Sequence, residues 1–502
     1  MRPSRQIILA VDQGTTNTKV VAIDENGRIL AQAERPLATM AAQPGWVEQD
    51  PLAMFANVVG AANEVLQMAG VRAADVAGLG IANQTETIVV WDRHTGEPAM
   101  PAMVWQCRRG AAEIAPLAGS ADMVRARTGL DLDPTFSAAK LKWLFANRPE
   151  IARGLREGNL LFGTVDTWLV WKLTGGSSHV TEPGNASRTM LFDIDRLAWD
   201  DDLFSLFELP IAVRPECRRS NAGFGFTEPS LLGGAIAITG LMGDQQASLL
   251  GHGCLKETEA KVTYGTGAFL WINAGSAPRQ GVPQGIIRTL AWQVDEPCYA
   301  FEGFVIYAGR ILDWLAGRLS VSGGVPALVG EAERAGTSEG VRLVPAFQGL
   351  GSPWWAPDVR AAILGLSEAT SVGHIAHAGL EAVCFQIRAI RDAIAARSGL
   401  GMANLKVDGG MTRSACFLQL QADILGLPLR PSASGAATPF GAALMAGLGA
   451  GVWGSLDELS GLFQHRDAIA PRGEPRACLD KDYRDWRHFI DLLVAGEARR
   501  AS

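Results

Sequence analysis

The stretch IILAVDQGTTNTK, residues 7–19, places a short Gly-Thr turn between two apolar runs that are typical of β-strands. The stretch TYGTGAFLWI, residues 263–272, repeats this arrangement half a chain length later. Glycine lets the backbone approach a phosphate closely, and the amides and threonine hydroxyls that follow supply donors without charge. Two such turns predict a duplicated domain whose two copies hold the phosphates of a nucleotide between them.

The length and composition fit a globular protein of two domains. The chain has 502 residues, 48% of them hydrophobic, which is more than a single core of ordinary size contains. The net charge of −7, without a basic block, predicts no binding to nucleic acid or to an acidic membrane. Seven scattered cysteines without a CxxC pair predict reduced thiols and a cytoplasmic location. The apolar run that ends at Asp12 is too short for a signal peptide.

The first half alternates runs of strand and helix character, which favours a mixed α/β sheet domain. Asp50 followed by Pro51 predicts the start of a helix, because Asp is a good N-cap and proline fits the first helical position. A second helix is predicted over residues 134–147, with Lys140 and Lys142 on its solvent side.

The second half predicts a long helix over residues 376–396 and a shorter one over 415–425. The segment from about Val452 onward is polar and is predicted to be irregular. The junction between the halves is expected just after Gly251, so the predicted domains are residues 1–251 and 252–502.

Two common nucleotide-binding motifs are missing. The chain has no GxxxxGK[ST] loop, and the string GLGIAN at residues 78–83 lacks the third glycine of a dinucleotide-binding turn. A further turn, DGG at residues 408–410, follows a predicted strand. Together with the paired Gly-Thr turns, it resembles the plan of the actin-like ATPases, in which two similar domains close over a nucleotide.

Ten motifs in one order make the resemblance specific. They are LAVDQGTTNTK (9–19), PGWVEQDP (44–51), ANQTET (82–87), VWQCRR (104–109), GTVDTWLVWKLTGG (163–176), NASRTM (185–190), GDQQA (243–247), TYGTG (263–267), VPAFQGLGSPWW (344–355) and VDGG (407–410). The chain thus resembles the glycerol kinase branch of the FGGY carbohydrate kinases. The resemblance implies an α/β fold of two actin-like (RNase H-like) ATPase domains with a central cleft. It also implies ATP, Mg²⁺ and transfer of phosphate to glycerol or a related small polyol, giving glycerol 3-phosphate and ADP from glycerol.

Two aspartates are the candidates for the chemistry. Asp244 is the candidate general base, because a carboxylate can accept the proton of the attacking hydroxyl. Asp12, beside the first Gly-Thr turn, is predicted to hold Mg²⁺ together with Asp244. The alternatives are that Asp244 only caps a helix and that Asp12 only forms a turn.

The resemblance also implies residues that bind the nucleotide. They are Thr15, Thr16, Asn17 and Lys19 in the first domain and Thr266, Gly309, Gly410 and Ser414 in the second. Lys19 stands where an arginine is usual in the family. A point charge remains there, but the two-pronged hydrogen bonding of a guanidinium is lost.

The acceptor site is where the sequence departs from the family. The residues implied in it are Thr85, Glu86, Trp105, Thr135, Asp244, Gln245 and Phe269. Thr85 and Thr135 replace an arginine and a tyrosine. Because a charge-assisted hydrogen bond contributes roughly 1.5–3 kcal/mol and a neutral one about 0.5–1.5 kcal/mol, both changes weaken the case for glycerol. Longer polyols of the erythritol or threitol type and ketopentoses of the xylulose or ribulose type therefore stay open as acceptors.

Two other classes of protein fit the motifs less well. An actin-like nucleotide-switch protein would not need the pocket residues Glu86, Trp105 and Phe269, and a chaperone would need a peptide-binding domain. An inactive relative is disfavoured because Asp12 and Asp244 are both present. The expected partner is a small polyol or sugar, and the family resemblance allows a homodimer or a homotetramer.

Overall fold

A six-stranded sheet forms the frame of the first half of the chain in the computed structural model, which describes residues 6–279, 281, 282, 284–473 and 476–501. Its strands, in spatial order, are Gly225–Phe226, Ala237–Gly243, Val76–Asn83, Ile7–Gln13, Asn17–Asp24 and Ile29–Pro36. Each of the last three strands is antiparallel to its neighbour in this group. The strands Val76–Asn83 and Ala237–Gly243 run parallel to Ile7–Gln13. We call this sheet and the elements packed around it the first lobe.

A second six-stranded sheet repeats the plan. Its strands, in spatial order, are Ile287–Gln293, Pro297–Val305, Ala268–Gly275, Glu259–Tyr264, Asn404–Gly409 and Leu429–Pro431. Neighbouring strands from Pro297–Val305 to Glu259–Tyr264 are antiparallel to one another. The last two strands run parallel to Glu259–Tyr264, which enters the Gly-Thr turn. The duplicated architecture predicted from the two turns is therefore present, and we call this half the second lobe.

The first lobe also contains a smaller four-stranded sheet and most of the shorter helices. The small sheet consists of Glu48–Gln49, Ala102–Met103, Ile88–Asp92 and Leu160–Thr164. The helices of this lobe are Pro51–Ala69, Ala111–Ile114, Ala121–Thr128, Ser137–Asn147, Pro149–Glu157, Val165–Leu173, Pro183–Ala186, Asp201–Leu206, Pro229–Leu232 and Asp244–Gly251. As predicted, Asp50 caps the helix that begins at Pro51, accepting a hydrogen bond from the amide of Leu52 at 2.9 Å.

The second lobe has fewer and longer helices. They are Gly309–Arg318, Gly324–Ala335, Val372–Ser398, Ala415–Leu425, Ala437–Gly449 and Arg476–Ala501. The last of these corrects the prediction of an irregular C-terminal segment, because Trp486 and Ile490 are buried on one side of a helix. Within the described part of the chain, no helix combines the length and apolar character needed to cross a bilayer.

Lys140 is a second correction. Its helix runs over Ser137–Asn147, but the side chain is fully buried instead of facing solvent. The ammonium donates to the carbonyl oxygens of Pro134, at 3.3 Å, and of Thr135. The helix itself was predicted correctly, but the side chain of Lys140 turns inward to the carbonyl oxygens just before the helix.

Two helices join the lobes at their centre. Asp244–Gly251 packs against the second sheet, whereas Ala437–Gly449 packs against the first, and the two helices contact each other. A Cβ added at Gly441 would lie 1.9 Å from the carbonyl oxygen of Ala247, and one at Gly251 would lie equally close to that of Ala437. Only glycine allows backbones to approach this closely. The two helices therefore meet through a close backbone contact in the region between the two sheets.

Candidate active site

The carboxyl ends of three parallel strands in the first lobe bring the two candidate aspartates to one edge. Gln13, Asn83 and Gly243 lie opposite one another in register, so Asp12 lies one residue before this level and Asp244 one residue after it, on the two sides of the middle strand. This edge is where ligands bind in sheets of this kind. Asp244 also begins the helix Asp244–Gly251 and accepts a hydrogen bond from the amide of Gln245 at 2.7 Å.

Both aspartates titrate near neutrality. Burial raises the pKa of Asp12 to about 7, with a further increase from the charge of Asp244 and a decrease from Lys19. Burial also raises the pKa of Asp244 to about 7. The charge of Glu86 adds to this increase, and the charge of Lys261 opposes it. A carboxyl group with such a pKa can accept a proton at neutral pH, and two adjacent carboxylates form a favourable place for a cation.

The first Gly-Thr turn is connected to the predicted acceptor wall. The Thr15 hydroxyl accepts a hydrogen bond from the indole nitrogen of Trp105 at 2.9 Å and donates to Gln84 Oε1 at 3.2 Å. The side-chain amide of Gln84 in turn donates to Gln49 Oε1 at 2.7 Å. Thr15 and Trp105, predicted for different ligands, are thus direct neighbours.

The remaining first-lobe residues predicted for the nucleotide follow Thr15. Thr16 and Asn17 are exposed at the turn, and the Thr16 carbonyl accepts the Leu37 amide at 2.7 Å. Lys19 lies 3.7 Å from the Glu34 carboxylate, and its ammonium also donates to the Gly435 carbonyl at 3.5 Å. Gly435 precedes the helix Ala437–Gly449, so Lys19 already contacts a loop of the second half of the chain.

Glu86 is held from several sides. Its Oε1 accepts Arg188 Nε at 2.5 Å, its Oε2 accepts the Thr85 hydroxyl at 2.8 Å, and its carbonyl accepts the Ser137 hydroxyl at 3.1 Å. Its φ of +63° lies in the left-handed region, which non-glycine residues seldom adopt. The methyl group of Thr85 lies against Gly243, where an added Cβ would be only 2.5 Å away. Thr85 therefore supports Glu86 and also packs beside the residue that precedes Asp244.

Thr135 lies at the entrance to the helix of Lys140. Its amide donates to Asp133 Oδ1 at 2.9 Å, and its carbonyl accepts the ammonium of Lys140. Burial lowers the pKa of Lys140 to about 8, and the charge of Glu86 partly offsets that effect. A buried cation thus lies behind the position where the sequence lacks the family's tyrosine.

One face of the second sheet completes the candidate site. Lys261, Trp271 and Glu302 lie directly opposite one another on three neighbouring strands, so their side chains share a face. Two residues along, the same face presents Phe269 and Phe304, whose rings stack at 4.7 Å.

Two charged groups on this face contact residues of the first half of the chain. The Lys261 ammonium donates to Gln245 Oε1 at 2.6 Å, and Glu302 accepts Arg188 Nη1 at 2.7 Å. Burial lowers the pKa of Lys261, and the charges of Asp408 and Asp244 oppose that effect. The predicted acceptor residue Gln245 therefore contacts the same face of the second sheet that carries Phe269.

Of the nucleotide residues predicted in the second lobe, Thr266 lies in the Gly-Thr turn and Gly309 contacts that turn. The Gly309 amide donates to the Gly265 carbonyl at 3.0 Å, and the Ala308 amide donates to that of Thr266 at 2.9 Å. Gly410 follows the strand paired with the one that enters the turn. Ser414 is further along, and its hydroxyl accepts the Phe417 amide at 3.1 Å, capping the helix Ala415–Leu425.

Sequence reasoning missed three charged residues of this site: Arg188, Lys261 and Glu302. Arg188 lies inside the quoted NASRTM run, and Lys261 lies just before TYGTG. Glu302 interrupts the apolar strand Pro297–Val305, and an isolated charge in a buried run is a signal that could have found it. Their mutual contacts link residues far apart in sequence, which spacing alone does not show.

Comparison with known proteins agrees with the motifs. The FGGY family of carbohydrate kinases matches with its N-terminal domain over residues 7–251 and with its C-terminal domain over residues 260–450. A glycerol kinase of Thermus brockianus is 46% identical over 490 residues, covering 96% of this chain and 98% of that protein. A glycerol kinase of Acidovorax ebreus is 44% identical, covering 97% of this chain and 99% of that protein.

Solved structures agree with the fold. The glycerol kinase of Plasmodium falciparum, determined with ADP, superimposes with a TM-score of 0.91 at 32% identity, covering 97% of this chain and 98% of that chain. A gluconate kinase of Lactobacillus acidophilus has a TM-score of 0.90 at 19% identity, covering 99% and 100% of the two chains, and shows the fold alone. The predicted two-domain α/β fold is confirmed. The chain belongs to the FGGY family of carbohydrate kinases and is a phosphotransferase that uses an alcohol group as acceptor.

Proposed function

We propose that this protein transfers the γ-phosphoryl group of ATP to a hydroxyl of glycerol, giving glycerol 3-phosphate and ADP. The observation that carries the proposal is the position of Asp244, half-buried at the sheet edge near Asp12 and within the electrostatic reach of Glu86 and Lys261. The similarity to proteins named glycerol kinase, at 46% and 44% identity over nearly the whole chain, supports glycerol as the acceptor.

Asp244 acts as the general base in this proposal. The acceptor oxygen forms a bond to the γ-phosphorus, its proton passes to the Asp244 carboxylate, and the bond from phosphorus to the bridging oxygen of ADP breaks. A pKa of about 7 suits the task, because such a carboxylate is ionised in part of the population and is still basic enough to take the proton.

Asp12 and Asp244 would hold the Mg²⁺ ion that kinases of this family use with ATP. Their oxygens are the hard ligands that Mg²⁺ prefers, and one or two carboxylates together with phosphate oxygens are its usual set. The fit is supported by the raised pKa of Asp12, part of which comes from repulsion by Asp244 that a cation would relieve. Bound there, Mg²⁺ would neutralise charge on the phosphate oxygens.

The nucleotide residues are proposed from both lobes. Thr15, Thr16, Asn17 and Lys19 would bind phosphates from the first, and Thr266, Gly309, Gly410 and Ser414 would bind the nucleotide from the second. The exposure of Thr16, Thr266 and Gly410 at the turns supports this assignment. We also propose domains of residues 1–251 and 252–502, a cytoplasmic location, and a homodimer or homotetramer.

The acceptor would be bound by Glu86, Trp105 and Gln245, with Phe269 against its carbon skeleton. Thr85 acts through Glu86, because its hydroxyl is engaged there, and Thr135 lies beside the buried Lys140. These contacts keep hydroxyl-binding groups in place although the family's arginine and tyrosine are absent.

The experiment is a coupled assay of ADP release with Mg²⁺ and ATP across a panel of acceptors. Glycerol, erythritol, threitol, xylulose and ribulose are compared by kcat/KM under the same conditions. We expect the highest value for glycerol. A higher value for a four-carbon polyol or a ketopentose would reassign the acceptor, and ADP release that does not respond to any acceptor would refute the kinase.

A further inference from the structure

Arg188 connects the acceptor side of the first lobe to the sheet of the second. Its Nε donates to Glu86 Oε1 at 2.5 Å, and its Nη1 donates to Glu302 Oε2 at 2.7 Å. All three side chains are at most 7% exposed. One buried guanidinium therefore pairs with a carboxylate from each half of the molecule.

The chemistry of this triad requires arginine. Burying two carboxylates costs desolvation free energy, which the shared cation offsets. Loss of the cation would leave both buried carboxylates without their ion-pair partner. The planar guanidinium offers donors in two directions at once, whereas the ammonium of lysine is a point charge on a flexible stem. The ring of Phe136 lies 5.5 Å from the Arg188 guanidinium carbon and limits where this group can move.

Glu86 depends on these contacts for its position. Its backbone adopts a left-handed φ of +63°, and its carboxylate is fixed by Arg188 on one oxygen and by Thr85 on the other. Glu302 lies on the strand Pro297–Val305, in the same row as Lys261. A shift of the second sheet relative to the first lobe would pull on Arg188 and, through it, on Glu86.

We propose that Arg188 is a positioning residue that links the arrangement of the two lobes to the position of the acceptor-binding carboxylate Glu86. The proposal rests on the role of Glu86 given under the proposed function. Acceptor binding is then strong only when Glu302 holds Arg188 in place. ATP binding, which uses the Gly-Thr turns, does not depend on this triad.

The test is a double-mutant cycle of Arg188→Lys and Glu302→Gln with KM measured for both substrates. Arg188→Lys should raise the acceptor KM about tenfold or more and leave the ATP KM within about twofold. Glu302→Gln should change the acceptor KM in the same direction by a smaller factor. The double variant should be little worse than Arg188→Lys alone, because the two residues act through one contact.

A matched control distinguishes positioning from simple attachment of the lobes. The buried Arg288 forms another ion pair between the two halves, with the half-buried Asp195 at 2.7 Å. Arg288→Lys should leave the acceptor KM unchanged. Equal effects of Arg188→Lys and Arg288→Lys, or equal changes in the KM of both substrates, would overturn the proposal, as would additive single effects.

The same measurements separate this proposal from the proposed function. If the wild-type enzyme prefers another polyol over glycerol, the proposed acceptor is wrong, and the cycle is measured with the preferred polyol. If Arg188→Lys does not fold, the near-isosteric Glu302→Gln decides alone. An unchanged acceptor KM in Glu302→Gln refutes the link between the lobes.

Discussion

In the first lobe, the carboxyl ends of the parallel strands carry the half-buried carboxylates Asp12 and Asp244, whereas the face of the second sheet presents the cation Lys261 and the aromatic pair Phe269 and Phe304. Both sheets follow one plan, so the difference lies in the side chains and not in the backbone. Burial and the charge of Glu86 raise the pKa of Asp244, and the charge of Lys261 on the second lobe partly offsets this increase. The two lobes thus share one backbone plan, but their facing surfaces carry side chains of opposite charge.

The largest effect on this difference between the lobes is expected from removal of the Asp244 carboxylate of the first lobe. Asp244→Asn should lower turnover by at least ~10²-fold, because the amide cannot accept the acceptor's proton, while ATP affinity stays within about twofold. The measurement is steady-state ADP release together with ATP binding by calorimetry.

A matched control for this change is Asp50→Asn. Asp50 also accepts a backbone amide at the start of a helix, and asparagine serves equally well as an N-cap. Turnover should be unaffected in Asp50→Asn. Unchanged turnover in Asp244→Asn would remove Asp244 from the mechanism.

The contribution of the second lobe is tested by Lys261→Met. Turnover should fall about tenfold, since Gln245 loses its partner and Asp244 loses the positive charge that lowers its pKa. The base must be ionised to work, so activity is lost as the pH falls through the pKa of Asp244. Because that pKa rises in the variant, the acidic limb of the kcat profile should move to higher pH.

Lys406 provides the control for the charge of Lys261. It lies opposite Lys261 on the adjacent strand and is also buried, but its ammonium donates to the Gly253 carbonyl at 2.6 Å and to Glu259. Lys406→Met should leave the acidic limb in place. If both variants shift the limb equally, the effect is a general one of buried charge and the specific role of Lys261 is wrong.

The contact that joins the lobes is tested by Gly441→Ala. The new methyl group would lie 1.9 Å from the Ala247 carbonyl oxygen, so the helices must separate. We expect a loss of about 1–3 kcal/mol in the free energy of unfolding, measured by urea denaturation. Gly317→Ala, in a helix where an added Cβ meets nothing within 4 Å, should be neutral or slightly stabilising. Equal stability of the two variants would contradict the close approach.

A smaller effect concerns stability and pH in the absence of Mg²⁺ and nucleotide. The pKa of Asp244 rises from an ordinary 3.8 to about 7 in the fold, so ionisation destabilises the folded state increasingly across this window and fully above it. Asp244→Asn removes this cost. Its melting temperature should exceed that of the wild type by a few degrees at about pH 8 and by less at about pH 5. A lower melting temperature of the variant at both values would contradict the prediction.

The sequence predicted the elements whose signals are local. The Gly-Thr turns, the cap at Asp50 and the helix over residues 415–425 all follow from neighbouring residues, and the structure has them where predicted. The C-terminal helix was missed because its many charges obscured the spacing of Tyr483, Trp486 and Ile490, three and four residues apart.

Contacts between distant segments were beyond local patterns. Lys140 was predicted to face solvent, because a helical repeat gives the face of a residue but not the direction in which a long side chain turns. The link from Arg188 to Glu302 spans 114 residues, and no spacing rule connects them. Among the site residues proposed from the family motifs, Thr15 contacts Trp105, and Gln245 contacts Lys261 of the second sheet.

The crossing of the two central helices has a consequence for motion. At Gly251 and Gly441 the backbones of the two helices approach each other closely. In a small rotation of one lobe about this point, atoms near the contact would move little, whereas the charged contacts at the edge, such as that of Arg188 with Glu302, would move farther. Opening and closing can then be controlled by the charged contacts at the edge, where ligands bind, while the centre of the molecule serves as a passive pivot.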